Sequence, residues 1–235
     1  MTTNPRVRQD SDGSPAVSPG VNNPLFARFY AWRSPSTQRS GGADRRRQLL
    51  AGISGNVIEV GAGNGLNFAH YPPQVTRVLA VEPDPHLGEL ARQAARSAPV
   101  PVEVVDGMAE EMPTDDASFG TAVACLTLCS VTDPDAALLE MHRVLWPGGR
   151  LHFYEHVRAE PPVLHGLQRI VDATIWPRLF GGCHCSRDTS AAITRAGFAM
   201  EQVDRFRAPD LPLPVPTAPH ILGTAVRVDS GSSAA

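Results

Sequence analysis

Three glycines at alternate positions, Gly61, Gly63 and Gly65, follow directly on the apolar run Val57-Ile58-Glu59-Val60. A second apolar run, Val78-Leu79-Ala80-Val81, ends in Glu82. A glycine turn after one strand and a carboxylate after the next is how an open α/β sheet holds a nucleoside-like ligand. Glycine lets the backbone come close, and the carboxylate can accept both hydroxyls of a ribose. The glycine spacing narrows the choice. A dinucleotide fingerprint reads G-x-G-x-x-G, with a helix N-terminus facing a pyrophosphate. Here the pattern is E-x-G-x-G-x-G, with an acid ahead of the glycines.

The surrounding pattern alternates. Strands are expected near 56–60, 76–82, 101–105, 119–125, 149–156, 198–206 and 221–228, and helices near 44–51, 65–70, 84–97, 134–145, 162–179 and 187–196. That rhythm implies a parallel sheet covered on both faces. Asp133-Pro134 opens a helix, Ser97-Ala98-Pro99 and Trp146-Pro147-Gly148-Gly149 stop helices, and the proline-rich run 208–216 reads as an extended loop. Residues 1–21 read as a disordered tail and 22–235 as one domain; the segment from Asn23 to Tyr30 is aromatic and amphipathic, suited to packing on the domain or to covering a ligand.

Composition excludes several functions. A net charge of −3 over 235 residues gives no basic footprint for nucleic acid. All 21 cationic side chains are arginine. No apolar run spans a bilayer, and the N-terminus does not read as a signal peptide. Four cysteines, Cys125, Cys129, Cys183 and Cys185, are too few for a disulfide scaffold at this length, so a reducing, cytoplasmic setting is expected.

The glycine turn, Glu82, the loop Asp106-Gly107-Met108-Ala109-Glu110-Glu111-Met112-Pro113 and the Pro147-Gly148-Gly149 turn together resemble the class I S-adenosylmethionine (SAM) methyltransferases, in the ubiquinone/menaquinone-type branch, over about residues 53–156. The resemblance implies an α/β fold: a Rossmann-like open sheet of seven strands, mostly parallel with an antiparallel last strand, and helices on both faces. It implies SAM as the cofactor, with Glu59 and the glycines at the methionine end, Glu82 at the ribose and the loop after strand three at the adenine. The expected cofactor residues are Glu59, Gly61, Ala62, Gly63, Asn67, Glu82, Pro83, Met108, Ala109 and Cys125. Family members commonly carry an Asp where this chain has Met108, so the adenine is expected to use backbone near Ala109 with Met108 against its ring.

Further segments look like the animal thiol S-methyltransferases over about residues 55–228. They are Leu128-Cys129-Ser130-Val131, Glu155-His156-Val157, Gly182-Cys183-His184, Arg187-Asp188-Thr189 and Pro219-His220-Ile221. This resemblance implies methyl transfer to the sulfur of a small-molecule thiol. Those relatives carry an N-terminal membrane anchor, which this sequence is not expected to have. Three histidines are candidate proton acceptors: His156 after strand five, His184 before the helix at 187, and His220 at the start of the last strand. Each also has a bland reading, as a strand-end or loop residue bonded to backbone. Cys183-His184-Cys185 could be half a metal site, but an extended run sends successive side chains to opposite faces, and no second pair has zinc spacing, so no metal is expected. Two other functions share the SAM site: an O- or C-methyltransferase acting on a quinol or phenol, and a SAM-binding accessory protein without catalysis.

Overall fold

A computed structural model describes residues 24–37, 41–174, 176–208 and 215–228. The expected tail at 1–21 and most of the proline-rich run lie outside these residues. Helices α1 (Pro24–Thr37) and α2 (Ala43–Leu49) precede a sheet built from β1 (Gly55–Val60), β2 (Val75–Val81), β3 (Val102–Val105), β4 (Phe119–Cys125), β5 (Leu145–His156), β6 (Phe198–Arg207) and β7 (Pro219–Arg227). Helix α3 (Pro85–Ala95) follows β2, and α4 (Pro134–Val144) follows β4. Helices α5 (Pro162–Asp172), α6 (Trp176–Leu179) and α7 (Thr189–Arg195) lie between β5 and β6.

The strand order is β3-β2-β1-β4-β5-β7-β6. The first five strands run parallel, and β7 is antiparallel to both β5 and β6. This is the seven-stranded Rossmann-like sheet expected from the sequence. Its topology reverses between β1 and β4, so the carboxyl ends of those strands open a crevice where ligands bind.

Burial follows the two-residue period of a strand covered on both faces. Ile58 and Val60 pack into one core with Leu79, Phe119, Leu138, Met141, Leu151 and Phe153. Val57 points the other way, into a second core with Leu49, Phe68, Val78, Val123 and Tyr154. Glu59 shares the face of Val57, which buries a carboxylate under the glycine turn.

Two Asp-Pro pairs start helices at the crevice. Asp84 Oδ1 accepts the amides of His86 and Leu87 at 2.9 and 3.0 Å, with Pro85 at the first helical position. Asp133 repeats the device for α4, accepting from Asp135 and Ala136 at 3.0 Å. Each cap satisfies amides that have no partner within the helix.

Three local expectations need correction. The helix expected over 162–179 is broken between Asp172 and Trp176, because Pro177 has no amide hydrogen for a continuous ladder. The carboxylate of Asp172 is also held by the amides of Cys185 and Ser186 at 2.9 Å. The helix expected at 65–70 is a single 3₁₀ turn, Phe68–His70, cut off by the two prolines after Tyr71. Strand β5 begins at Leu145, earlier than expected. Leu145 pairs with Phe119 and Arg150 with Thr121, so the Trp146–Gly149 turn bulges out of the ladder.

Candidate active site

The turn after β1 is held open by backbone that only glycine adopts readily. Gly61, Gly63 and Gly65 have φ of +69°, +57° and +77°. A Cβ at Gly61 would lie 2.5 Å from Thr127 Cγ2, and one at Gly65 would lie 2.8 Å from the Phe68 ring. The bare turn therefore leaves a cradle facing a cavity of about 610 Å³ at the carboxyl ends of β1, β2 and β4.

Glu82 stands at one side of this cavity, 5 % exposed. Its Oε2 accepts the Gly63 amide at 2.7 Å and its Oε1 accepts the Asp84 amide at 2.9 Å. Burial pushes its carboxyl up to about 7 against the pull of these two amides. Each oxygen keeps lone-pair capacity for a hydroxyl donor. Pro83, Met108 and Ala109 continue the wall, as does Cys125, whose thiol burial raises to about 11. Asp106 is not part of this wall; it pairs with Arg92 at 2.7 Å. Glu110 is also on the wall. Its Oε1 accepts the Asp133 amide at 3.1 Å, while its buried Oε2 has no partner among the described residues and is open to an N–H donor.

Glu59, Ala62 and Asn67 form a layer beneath the turn. Glu59 Oε1 accepts from Asn67 Nδ2 at 2.8 Å and Oε2 from the Tyr71 hydroxyl at 2.7 Å. Arg46 of α2, 6 % exposed, donates to Asn67 Oδ1 at 2.6 Å and to Cys125 Sγ at 3.1 Å. Burial raises the Glu59 carboxyl to about 7, against the bonds from Tyr71 and Asn67 and the charge of Arg46. This layer fixes the turn from below. Sequence reasoning did not find Arg46, because nothing in its helix marks it as buried.

The far wall comes from segments distant in sequence. Phe26 and Tyr30 of α1 face the cavity, as the cover reading of that segment expects. Thr127, Ser130, Gly182, His184 and Arg187 line the other side. Glu155, also missed from sequence, organises the loop after β4. It is fully buried, and its carboxylate accepts the amides of Thr127, Leu128 and Cys129 at 2.9, 2.9 and 3.2 Å. Burial lifts it to about 7, and the three amides pull the other way. The loop before α7 is stitched on by His184, whose amide donates to the Cys129 carbonyl at 2.8 Å, and by Arg187, whose Nη1 donates to the Leu128 carbonyl at 2.6 Å.

The three candidate histidines separate. His184 alone lines the cavity; its Nδ1 is 2.7 Å from the Gly182 carbonyl. The carbonyl can only accept, and at 2.7 Å it outweighs the Arg187 guanidinium 3.4 Å from the same nitrogen, so Nδ1 carries the hydrogen and Nε2 is left as a base. His156 and His220 are cross-strand partners whose rings lie 4.4 Å apart. His220 is bonded through Nδ1 to the Ala218 carbonyl at 2.8 Å, and burial lowers it to about 3. It stays neutral, in keeping with its backbone-bonded reading. Gly181 and Gly182 turn the chain just ahead of Cys183, at φ of +60° and +83°, and a second turn begins at Cys185. Cys183 meets Cys129 and His156, and the proton shared with Cys129 lowers Cys183 to about 5 and raises Cys129.

The glycine cradle, the two oxygens of Glu82 and the open acceptor of Glu110 match the chemistry of a nucleoside with an amino-acid tail, and thus of SAM. Comparison with known proteins agrees. A family model described as "Methyltransferase domain" matches residues 58–153. The thiol S-methyltransferase TMT1B of Mus musculus is 40 % identical over 211 residues, covering 87 % of this chain and 85 % of the mouse protein. The thiol S-methyltransferase TMT1A of Homo sapiens is 35 % identical, covering 79 % of each chain. Among solved structures, a putative methyltransferase from Bacillus halodurans superposes with a TM-score of 0.66 at 18 % identity, covering 79 % of this chain and 98 % of that one.

Proposed function

This chain belongs to the SAM-dependent methyltransferases, in the family of the thiol S-methyltransferases, and from that membership we propose that it methylates the sulfur of a small-molecule thiol. The observation that carries the thiol acceptor is the 40 % identity to a thiol S-methyltransferase over 85 % of that relative. SAM supplies an activated methyl group on a sulfonium, so the chain's task is alignment and exclusion of water. In this reading the ribose hydroxyls donate to Glu82, the methionine end lies over Gly61 and Gly63, and the adenine meets Met108, Ala109 and Glu110. Phe26 and Tyr30 of α1 cover the cavity and keep water from the reacting atoms.

The acceptor enters beside Ser130, His184 and Arg187. A free thiol has a pKa near 8.5, so a few per cent is thiolate near neutrality, and a base helps without being obligatory. His184 is that base: the Gly182 carbonyl holds its Nδ1 hydrogen and leaves Nε2 to take the thiol proton. We place the protein in a reducing compartment, which the four free cysteines support. Among the described residues, no helix is long and apolar enough to cross a membrane.

The test is mass spectrometry of purified protein with SAM and a panel of thiols, dithiols, phenols and quinols. Methyl gain on thiols alone is the expected result. Turnover of only oxygen or carbon acceptors would keep the cofactor site and overturn the acceptor class. SAM binding with no methyl transfer to any acceptor would favour an accessory role.

A further inference from the structure

Three soft donor atoms converge just behind the cavity wall. Cys129 Sγ, His156 Nδ1 and Cys183 Sγ come from the loop after β4, the end of β5 and the loop before α7, and all lie within 4.8 Å of one another. We propose that these three atoms bind a zinc ion and leave its fourth coordination position to the sulfur of the acceptor, a step that rests on the thiol reading above.

Distance is the first argument. His156 Nδ1 is 3.5 Å from Cys129 Sγ and 3.7 Å from Cys183 Sγ. With zinc–sulfur and zinc–nitrogen bonds of about 2.3 and 2.0 Å, the sulfur–nitrogen edge of a tetrahedron is about 3.5 Å. The second argument is the donor set. Two cysteines and a histidine are a zinc donor set, and three protein ligands with one open position are the pattern of a catalytic rather than a structural site.

The third argument is preorganisation. The loop carrying Cys129 is fixed by Glu155 and that carrying Cys183 by the His184–Cys129 backbone bond. At Gly182 a Cβ would lie 2.5 Å from the Ser130 carbonyl oxygen, so only glycine allows the two loops to come this close. The His220 ring backs His156 on the adjacent strand and orients it. Ser130, Gly182 and His184, which adjoin Cys129 and Cys183 in the chain, line the cavity, so the cluster lies against the wall beside which the acceptor is proposed to enter.

The chemistry balances without an added reagent. The acceptor S–H bond breaks as its sulfur bonds to zinc, and the proton passes to Nε2 of His184. The sulfur then bonds to the methyl carbon as the bond from that carbon to the sulfonium sulfur breaks with its electron pair. The products are a thioether and S-adenosylhomocysteine, and zinc changes neither charge nor oxidation state.

The experiment is Co²⁺ titration of chelator-stripped, reduced full-length protein, read by absorption, with zinc content of the protein as purified measured by mass spectrometry. We expect one zinc per chain and an intense sulfur-to-cobalt charge-transfer band. Cys129→Ser and Cys183→Ser should lose the band yet still bind SAM, which shows that they fold, while Cys185→Ser keeps it. Adding 2-mercaptoethanol should shift the band, and its S-methyl ether should not. No band in wild type, or only a Cys129–Cys183 disulfide, would overturn the site. A band that thiols do not move, or full thiol turnover by metal-free protein, would overturn the coordination of the acceptor. A thiol-responsive band with no methyl transfer to any thiol would keep the zinc site and refute the proposed function instead.

Discussion

The Glu82 carboxylate accepts the Gly63 amide at 2.7 Å, which ties the end of β2 to the turn after β1. On the proposed reading, the residue that receives the ribose therefore also sets the height of the glycine turn beside it. The cofactor site is one mechanical unit, and a change at Glu82 acts on both parts.

Glu82→Ala is expected to weaken SAM binding by about 100-fold or more, since hydrogen bonds to a charged group contribute about 1.5–3 kcal/mol each and two are lost. Calorimetric titration measures this, and thermal unfolding checks that the fold survives. Unchanged affinity would contradict the ribose assignment.

SAM affinity should depend on pH through the same group. Burial raises the Glu82 carboxyl from 4.5 to about 7, and a ribose diol favours the ionised form. Affinity should thus fall toward about tenfold per pH unit below 7 and level off above it, with Glu82→Gln giving a flat profile. The stability contribution has the opposite sign. Between pH 4.5 and 7 the folded carboxyl keeps a proton that the unfolded chain has released, so this group's contribution to stability falls as pH rises through that window.

Gly61→Ala and Gly52→Ala form a matched pair. Both glycines have left-handed backbone, at φ of +69° and +74°, but a Cβ at Gly52 meets nothing within 4 Å. Gly52→Ala should cost about 1 kcal/mol and leave SAM binding intact. Gly61→Ala must also displace Thr127 and its bond to the Val60 carbonyl, adding about 1–3 kcal/mol and lowering SAM affinity. Equal melting temperatures in the two variants would contradict the close contact.

Arg46→Ala should destabilise by about 3 kcal/mol, because it leaves Glu59 buried beside Asn67 without the nearby cation. Denaturant unfolding measures the loss. An effect within a few tenths of a kcal/mol would mean that the layer under the turn holds without it.

His184→Ala should lower kcat for thiols by about 100-fold while leaving SAM affinity unchanged, as expected for a group that moves a proton and touches no part of the cofactor. A loss confined to KM for the thiol would recast His184 as part of the pocket wall.

The sequence alone determined the strands β1 and β2, because the apolar runs at Val57–Val60 and Val78–Val81 are local and need no distant partner. It determined the glycine turn, Glu82 and the Asp-Pro cap of α4 for the same reason: each works over a few adjacent residues. Only the tertiary structure decided which histidine meets the cavity, that Arg46 lies under Asn67, that Glu155 gathers the amides of Thr127, Leu128 and Cys129, and that Cys129, His156 and Cys183 converge. These contacts gather at the carboxyl edge of strands β1, β4 and β5, with partners at least 21 residues apart. Strand order and register bring them together, and no local periodicity carries that information.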